Sequence, residues 1–283
     1  MQHIIKSVEQ QARNLRDEMA NINKGAILIP ARYSSERLPG KPCFPLDGVP
    51  MIKRIVTACK QSDLPVFVLT DSKEVANAIN KNTTVIIDEQ TKFRNGTERC
   101  ASILDNDVFN KYDYFINVQG DMPDVTVEMI HSCRDMLHQW DVSTAYTDLK
   151  DFSKERTDPN TVKLVRSNGD MLWCGRGFTG YGDWHLGIYG YRRSALEKYM
   201  DLTVYTEEIV ESLEQLRWIK NGYSVGCTEV EFDGVEINNI EDVNKWEARH
   251  AALSDKDIDE IDSESRAVFM EFEADWARHY NNK

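Results

Sequence analysis

The chain has 283 residues, 41% of them hydrophobic, which suffices to bury the core of one large domain or of a domain with a smaller lobe. Its formal net charge of -13, from 47 acidic against 34 basic residues, repels nucleic acid and argues against a DNA- or RNA-binding role. The six cysteines (Cys43, Cys59, Cys100, Cys133, Cys174, Cys227) form no CxxC or Cys/His metal spacing, no apolar run reaches the ~18 residues of a membrane span, and the charged start has no signal-peptide centre, so a cytoplasmic protein with reduced thiols and no membrane partner is expected.

Residues 1–24 place Ile4, Ile5, Val8, Ala12, Leu15 and Met19 at nearly helical spacing, which predicts an amphipathic N-terminal helix used for packing or oligomerisation. From residue 25 short apolar runs alternate with helical stretches: AILIP (26–30) then 51–60, PVFVLT (65–70) then 73–80, TVIID (84–88) then 97–104, YFINVQ (114–119) then 125–140. This rhythm predicts an α/β fold with a mainly parallel, doubly wound nucleotide-binding sheet. Past Ser143 it changes. TVKLVR and MLWCGR flank Ser167, Asn168, Gly169 and Asp170 as a hairpin would, followed by HLGIYGYR (185–192), a helix over about 207–220 and a strand near 225–232. A smaller antiparallel lobe is expected within about 151–232, the main domain at 25–249, and a helical, acidic extension at 250–283.

The densest chemical signal follows the first strand, where IPARYSSERLPGKP (29–42) carries Arg32, Arg37 and Lys41 around a Gly-containing turn. Ligands of open α/β sheets bind at the carboxyl ends of strands, so this loop suits a phosphate cradle, with arginines chelating phosphate oxygens and a lysine offering a point charge. On composition alone a solvated basic loop serves equally well. Neither GxGxxG nor GxxxxGK[ST] occurs, which weakens dinucleotide and P-loop readings.

This loop resembles the N-terminal signature of 3-deoxy-manno-octulosonate cytidylyltransferases, the CMP-Kdo synthetases. NGTERCA (95–101) is similar to that family's SGTER segment and FINVQGDMP (115–123) to its NVQGDEP, while LTDS (69–72), DPNTVKLV (158–165), HLGIYGYR, ESLEQLRWIKNGY (211–223) and IEDVNKW (240–246) follow in the family's order. The resemblance spans roughly 25–249. It implies a Mg2+-dependent nucleotidyltransferase, expected as a homodimer, that moves CMP from CTP to an acidic octulosonate and releases pyrophosphate.

It also implies roles for matching residues. Ala31, Arg32, Arg37 and Lys41 would hold CTP, with Lys41 nearest the reacting phosphorus. Asn95, Gly96, Thr97 and Gln119 would lie beside the cytosine, although Thr97 equally suits a plain helix N-cap. Arg176, His185, Tyr189, Glu214 and Gln215 would face the sugar acid. His185, Gly187, Tyr189 and Tyr191 share one strand face, and Glu214 and Gln215 sit on the helix 207–220. Asp121 would bind Mg2+, against the bland alternative of a turn aspartate.

Two departures stand out. The family reads Gly-Val-Asp-Thr-Pro-Glu-Asp where this chain has Glu236 to Asp242, so the position of its second metal-binding aspartate is Asn238. Three outcomes follow: Asn238 serves as a neutral ligand, Glu236, two residues away on a strand, replaces it, or catalysis is weakened and the chain is a CTP-binding protein. Met122 and Asp124 also replace a glutamate and an apolar residue. The chain is therefore read as a divergent member, and another 8- or 9-carbon sugar acid is an alternative acceptor.

Overall fold

The computed structural model describes residues 24–149 and 154–251. The expected N-terminal helix and nearly all of the 250–283 extension lie outside the described residues. In chain order the elements are β1 (Gly25–Ala31), β2 (Pro45–Leu46), β3 (Val49–Pro50), α1 (Met51–Lys60), β4 (Val66–Thr70), α2 (Lys73–Asn77), β5 (Thr84–Ile87), α3 (Gly96–Ala101), β6 (Tyr114–Val118), α4 (Val127–Met136) and β7 (Val142–Thr147). There follow β8 (Lys163–Ser167), β9 (Asp170–Gly175), β10 (Asp183–Arg192), α5 (Arg193–Leu196), α6 (Thr206–Glu211), α7 (Gln215–Lys220), β11 (Val225–Glu229) and α8 (Ile240–His250).

Every residue of β1, β4 and β6 is buried, as strands covered on both faces must be. Their residues alternate between two cores. Ile27, Ile29, Val68 and Ile116 pack on one side with Ile52 and Ile55 of α1 and Met129 and Ile130 of α4. Ala26, Leu28, Phe67 and Phe115 face Leu104, Phe109, Tyr199 and Trp218 on the other. β5 closes the edge with a half-exposed pattern.

Among the described residues the main sheet runs β5-β4-β1-β6-β10-β7-β11-β9-β8. β5, β4, β1 and β6 are mutually parallel, whereas β10 enters between β6 and β7 antiparallel to both. β8 and β9 form the expected hairpin, with Asn168 and Gly169 at positive φ in its turn, and β8 also pairs with β10. The antiparallel lobe thus extends the parallel sheet instead of standing apart from it. No helix among the described residues is long and apolar enough to cross a membrane.

Several boundaries differ from the sequence expectation. The helix expected over 207–220 is two helices, α6 and α7, because Ser212 takes a left-handed conformation (φ 53°) that ends the first. The 225–232 strand stops at Glu229, and residues 230–238 are irregular, so the strand geometry assumed for Glu236 and Asn238 does not hold. β7 (VSTAYT) was not anticipated. Its polar Ser143 and Thr144 are buried but donate hydroxyls to the carbonyls of Cys133 (2.6 Å) and Ile188 (2.9 Å).

Candidate active site

The loops leaving the carboxyl ends of β1 and β6 and the segment leading into α3 face the β10 wall and helices α6 and α7 across one cavity of about 840 Å³, a size suited to a small-molecule ligand. It is lined by Ala31, Arg32, Arg37 and Lys41 from the first loop, and by Asn95, Gly96, Gln119 and Asp121 from the α3 and β6 ends. Arg176, His185, Tyr189, Glu214 and Gln215 line it from the antiparallel side, joined by Glu236 and Asn238. Of the residues to which the resemblance gives a binding role, Thr97 alone is absent from the lining. It is fully buried behind the wall, its hydroxyl 2.8 Å from the Tyr191 hydroxyl.

The first loop is fastened before any ligand arrives. Asp71, one residue past β4, accepts from Tyr33 N at 2.8 Å and from Arg99 Nη2 at 3.3 Å. Gly40 at positive φ begins the 3-10 turn Lys41–Cys43, which turns the Lys41 ammonium onto Asp121 Oδ2 at 2.9 Å. Arg32 and Arg37 are exposed, and Arg37 Nη2 donates to Asn238 Oδ1 at 3.2 Å.

On the α3 side, Asn95 and not Thr97 is the N-cap, its side chain accepting from Glu98 N at 2.8 Å. Gly96 is closely packed, since a Cβ there would lie 2.8 Å from Gln119 Nε2 and 3.0 Å from Pro30 Cγ, and the Gln119 amide would have to shift. Glu214, the α7 N-cap, reaches across to accept from Thr97 N (2.9 Å) and Gln119 Nε2 (3.0 Å), so one carboxylate ties the two sides of the cavity together. Burial pushes its pKa up to about 7, against the lowering effect of the Thr97 hydrogen bonds.

The opposite wall is neutral. Burial, assisted by the Arg176 charge, lowers His185 to about 3, so its imidazole is uncharged at neutral pH and shares a 3.1 Å hydrogen bond with Thr144 Oγ1. Burial raises Tyr189 well above the usual phenol range, which keeps it a hydroxyl donor. A bulge between His185 and Tyr189 interrupts the register of β10 with β7, where Gly187 passes close to Gln119 and Met122. Arg176 is held at the rim by the carbonyls of Glu211 (3.2 Å) and Asn160 (2.7 Å). Gln215 Oε1 is buried without a hydrogen-bond partner.

Sequence reasoning missed several contributors. Arg99 lines the cavity 7% exposed with Nη1 unpartnered. Glu208 lines it too and pairs with Arg217, which is wholly buried and also meets Glu98 Oε1 at 2.9 Å. Arg99 sits in the quoted 95–101 motif and Arg217 in the quoted 211–223 motif, but the pairing of Arg217 with Glu98 spans 119 residues and gave no local signal, and Glu208 lies outside both motifs.

At the polar corner the chain offers hard oxygen donors: the carboxylates of Asp121 and Glu236 and the amide of Asn238. Among the described residues no group of three or more His, Cys, Asp or Glu side chains gathers as a metal site. Two carboxylates that leave the remaining positions to phosphate oxygens and water suit Mg2+, so the donor set fits that ion. Burial, then the neighbouring Asp121 charge, raises Glu236 to about 7.

A sheet whose parallel strands end in such a cavity, opposite an antiparallel wall, has the architecture of a nucleotidyltransferase, and residues 26–229 match the Cytidylyltransferase family model. A 3-deoxy-manno-octulosonate cytidylyltransferase of Parabacteroides distasonis is 30% identical over 238 residues, covering 77% of this chain and 94% of that protein. An 8-amino-3,8-dideoxy-manno-octulosonate cytidylyltransferase of Shewanella halifaxensis is 32% identical over 80% of this chain and 98% of its own. A CMP:2-keto-3-deoxy-manno-octonic acid synthetase solved with CTP superposes with a TM-score of 0.72 at 30% identity, covering 81% of this chain and 99% of that one. The chain belongs to the CMP-Kdo synthetase family of cytidylyltransferases. A 4-diphosphocytidyl-2C-methyl-D-erythritol synthase from Anaerococcus prevotii, 13% identical with a TM-score of 0.55, shares the fold alone.

Proposed function

We propose that the chain transfers CMP from CTP to the anomeric hydroxyl of 3-deoxy-manno-octulosonate or a close acidic sugar, releasing pyrophosphate. The observation that carries this reading is the single cavity in which the basic loop meets the β10 wall and the Glu214 bridge, in a chain of the CMP-Kdo synthetase family. Arg32 and Arg37 chelate the triphosphate, and Lys41, already oriented by Asp121, places its charge at the reacting α-phosphate. Positioning and charge stabilisation are the main demands of such a transfer. Gly96 and Gln119 form the floor under the cytosine, with Asn95 and Thr97 holding that floor in place.

The acidic sugar lies between Arg176, which meets its carboxylate, and the hydroxyl-binding groups of Tyr189, neutral His185 and Gln215. Unpartnered Gln215 Oε1 accepts a sugar hydroxyl, and Glu214 next to it changes between donor and acceptor near neutral pH. Mg2+, when bound at Asp121 with Glu236 or Asn238, supplies Lewis-acid polarisation of the phosphate oxygens and offsets the charge of the leaving pyrophosphate. Association of two copies through the antiparallel lobe belongs to the same proposal, with Leu172 (52% exposed) and Val210 (75% exposed) as apolar surface on that lobe; analytical ultracentrifugation tests it.

An amino sugar is a second acceptor, favoured by the similarity to the S. halifaxensis protein. Parallel assays with 3-deoxy-manno-octulosonate, its 8-amino analogue and a nonulosonate separate the readings. Turnover of either octulosonate well above the nonulosonate is expected; preference for the nonulosonate would refute the assignment.

A further inference from the structure

Three oxygen-bearing side chains surround the polar corner of the cavity, and the structure gives them different partners. The Asp121 carboxylate already holds a cation, the Lys41 ammonium at 2.9 Å. Asn238 Oδ1 is occupied by the Arg37 guanidinium at 3.2 Å, so a divalent cation on that oxygen would sit against a positive charge. Asn238 is also fixed at its backbone, its N–H donating to Asp242 Oδ2 at 3.0 Å at the start of α8. Glu236 differs in its side chain. Its Oε1 accepts one backbone bond, from Gly187 N at 3.1 Å, and its carboxyl group can supply an anionic oxygen, which an amide cannot.

The irregular segment that carries Glu236 is clamped on both sides. Ile237 N donates to the Asp121 carbonyl at 2.9 Å, laying the segment against the Asp121 turn. Val235 N donates to Asp124 Oδ2 at 2.9 Å, and Asp124 Oδ1 accepts from Trp246 Nε1 of α8 at 2.8 Å. Gly234 lets the chain approach that close, since a Cβ there would fall 2.6 Å from Asp124 Cβ.

We propose that Glu236, and not Asn238, is the second anionic oxygen ligand for the divalent cation at Asp121, with Asp124 positioning the segment that presents it and Asn238 positioning Arg37. This assignment rests on the transferase reading above and specifies its metal corner.

The test is Mn2+ binding to the full chain in the presence of CTP, read by electron paramagnetic resonance for the unaltered protein, Glu236→Gln and Asn238→Ala. Circular dichroism and urea unfolding report folding of each variant, and calorimetry measures its metal-free CTP binding. The expected result is a loss of Mn2+ affinity of at least about fivefold in Glu236→Gln, larger than in Asn238→Ala, whose main effect is weaker metal-free CTP binding through Arg37. A smaller loss in Glu236→Gln, or an equal one in Asn238→Ala, overturns the assignment and leaves the transferase reading standing. Failure of the unaltered protein to bind CTP overturns that reading first.

Discussion

Lys41 Nζ stands 2.9 Å from Asp121 Oδ2, joining the loop after β1 to the turn after β6 across 80 residues of chain. Both side chains are part-buried, and the ion pair holds the ammonium at the place where the triphosphate is proposed to react. Replacing it with an isosteric apolar group removes charge that matters most in the transition state. Lys41→Met should lower kcat for pyrophosphate release by about 10²–10³-fold and weaken CTP binding much less. A rise in KM with kcat unchanged would reduce Lys41 to a substrate anchor.

Arg217 of α7 ties α3 to α6 behind the cavity. Its guanidinium donates to Glu98 Oε1 and Glu208 Oε2, both at 2.9 Å, and lies 4.2 Å from the Tyr199 ring centroid. Removing the cation strands two buried carboxylates. Arg217→Met should cost about 3–5 kcal/mol of folding stability in urea unfolding. A cost below about 1 kcal/mol would show that the carboxylates are solvated or protonated without it.

Glu214 predicts a pH dependence with a definite sign. Its folded-state pKa of about 7 lies above the ordinary 4.5, so the folded chain binds this proton more tightly than the unfolded chain. The contribution to stability is complete below about pH 4.5 and is lost as the pH rises through about 7. Glu214→Gln carries no such titration. Between about pH 4 and 8 the unaltered protein should lose up to about 3 kcal/mol more stability than the variant. Parallel stability curves for the two proteins would contradict the raised pKa. The KM for the sugar should shift through the same pH window in the unaltered protein and stay flat in the variant.

Gly96 supports a prediction about space. A methyl group there pushes on the Gln119 amide, which donates to Glu214 at 3.0 Å. Gly96→Ala should weaken CTP binding by roughly tenfold and cost about 1–3 kcal/mol of stability. Calorimetric titration with CTP that showed an unchanged affinity would mean that this floor does not carry the base.

The parallel half of the sheet was legible because β1, β4 and β6 are fully buried and therefore continuously apolar. β7 was not, since its inward residues are hydroxyls satisfied by distant carbonyls, which no local pattern discloses. The break at Ser212 was hidden because Leu213 and Leu216 carry an apolar period straight through it. Of the site, the basic loop and the β10 wall were readable from motif and periodicity. Arg99, Glu208 and Arg217 were not, because their roles depend on partners brought together only by the sheet. Asp124 had no reading in the sequence. The structure gives it one, through Val235 and Trp246.

The most direct measurement is pyrophosphate release from CTP and Mg2+ with and without 3-deoxy-manno-octulosonate, beside an Asn238→Asp variant. Release by the unaltered protein that requires the sugar is the predicted result, and it shows that Asn238 is compatible with turnover. Release by the variant alone, while the unaltered protein binds CTP and stays silent with every octulosonate tried, would contradict it and leave a CTP-binding protein in place of a transferase.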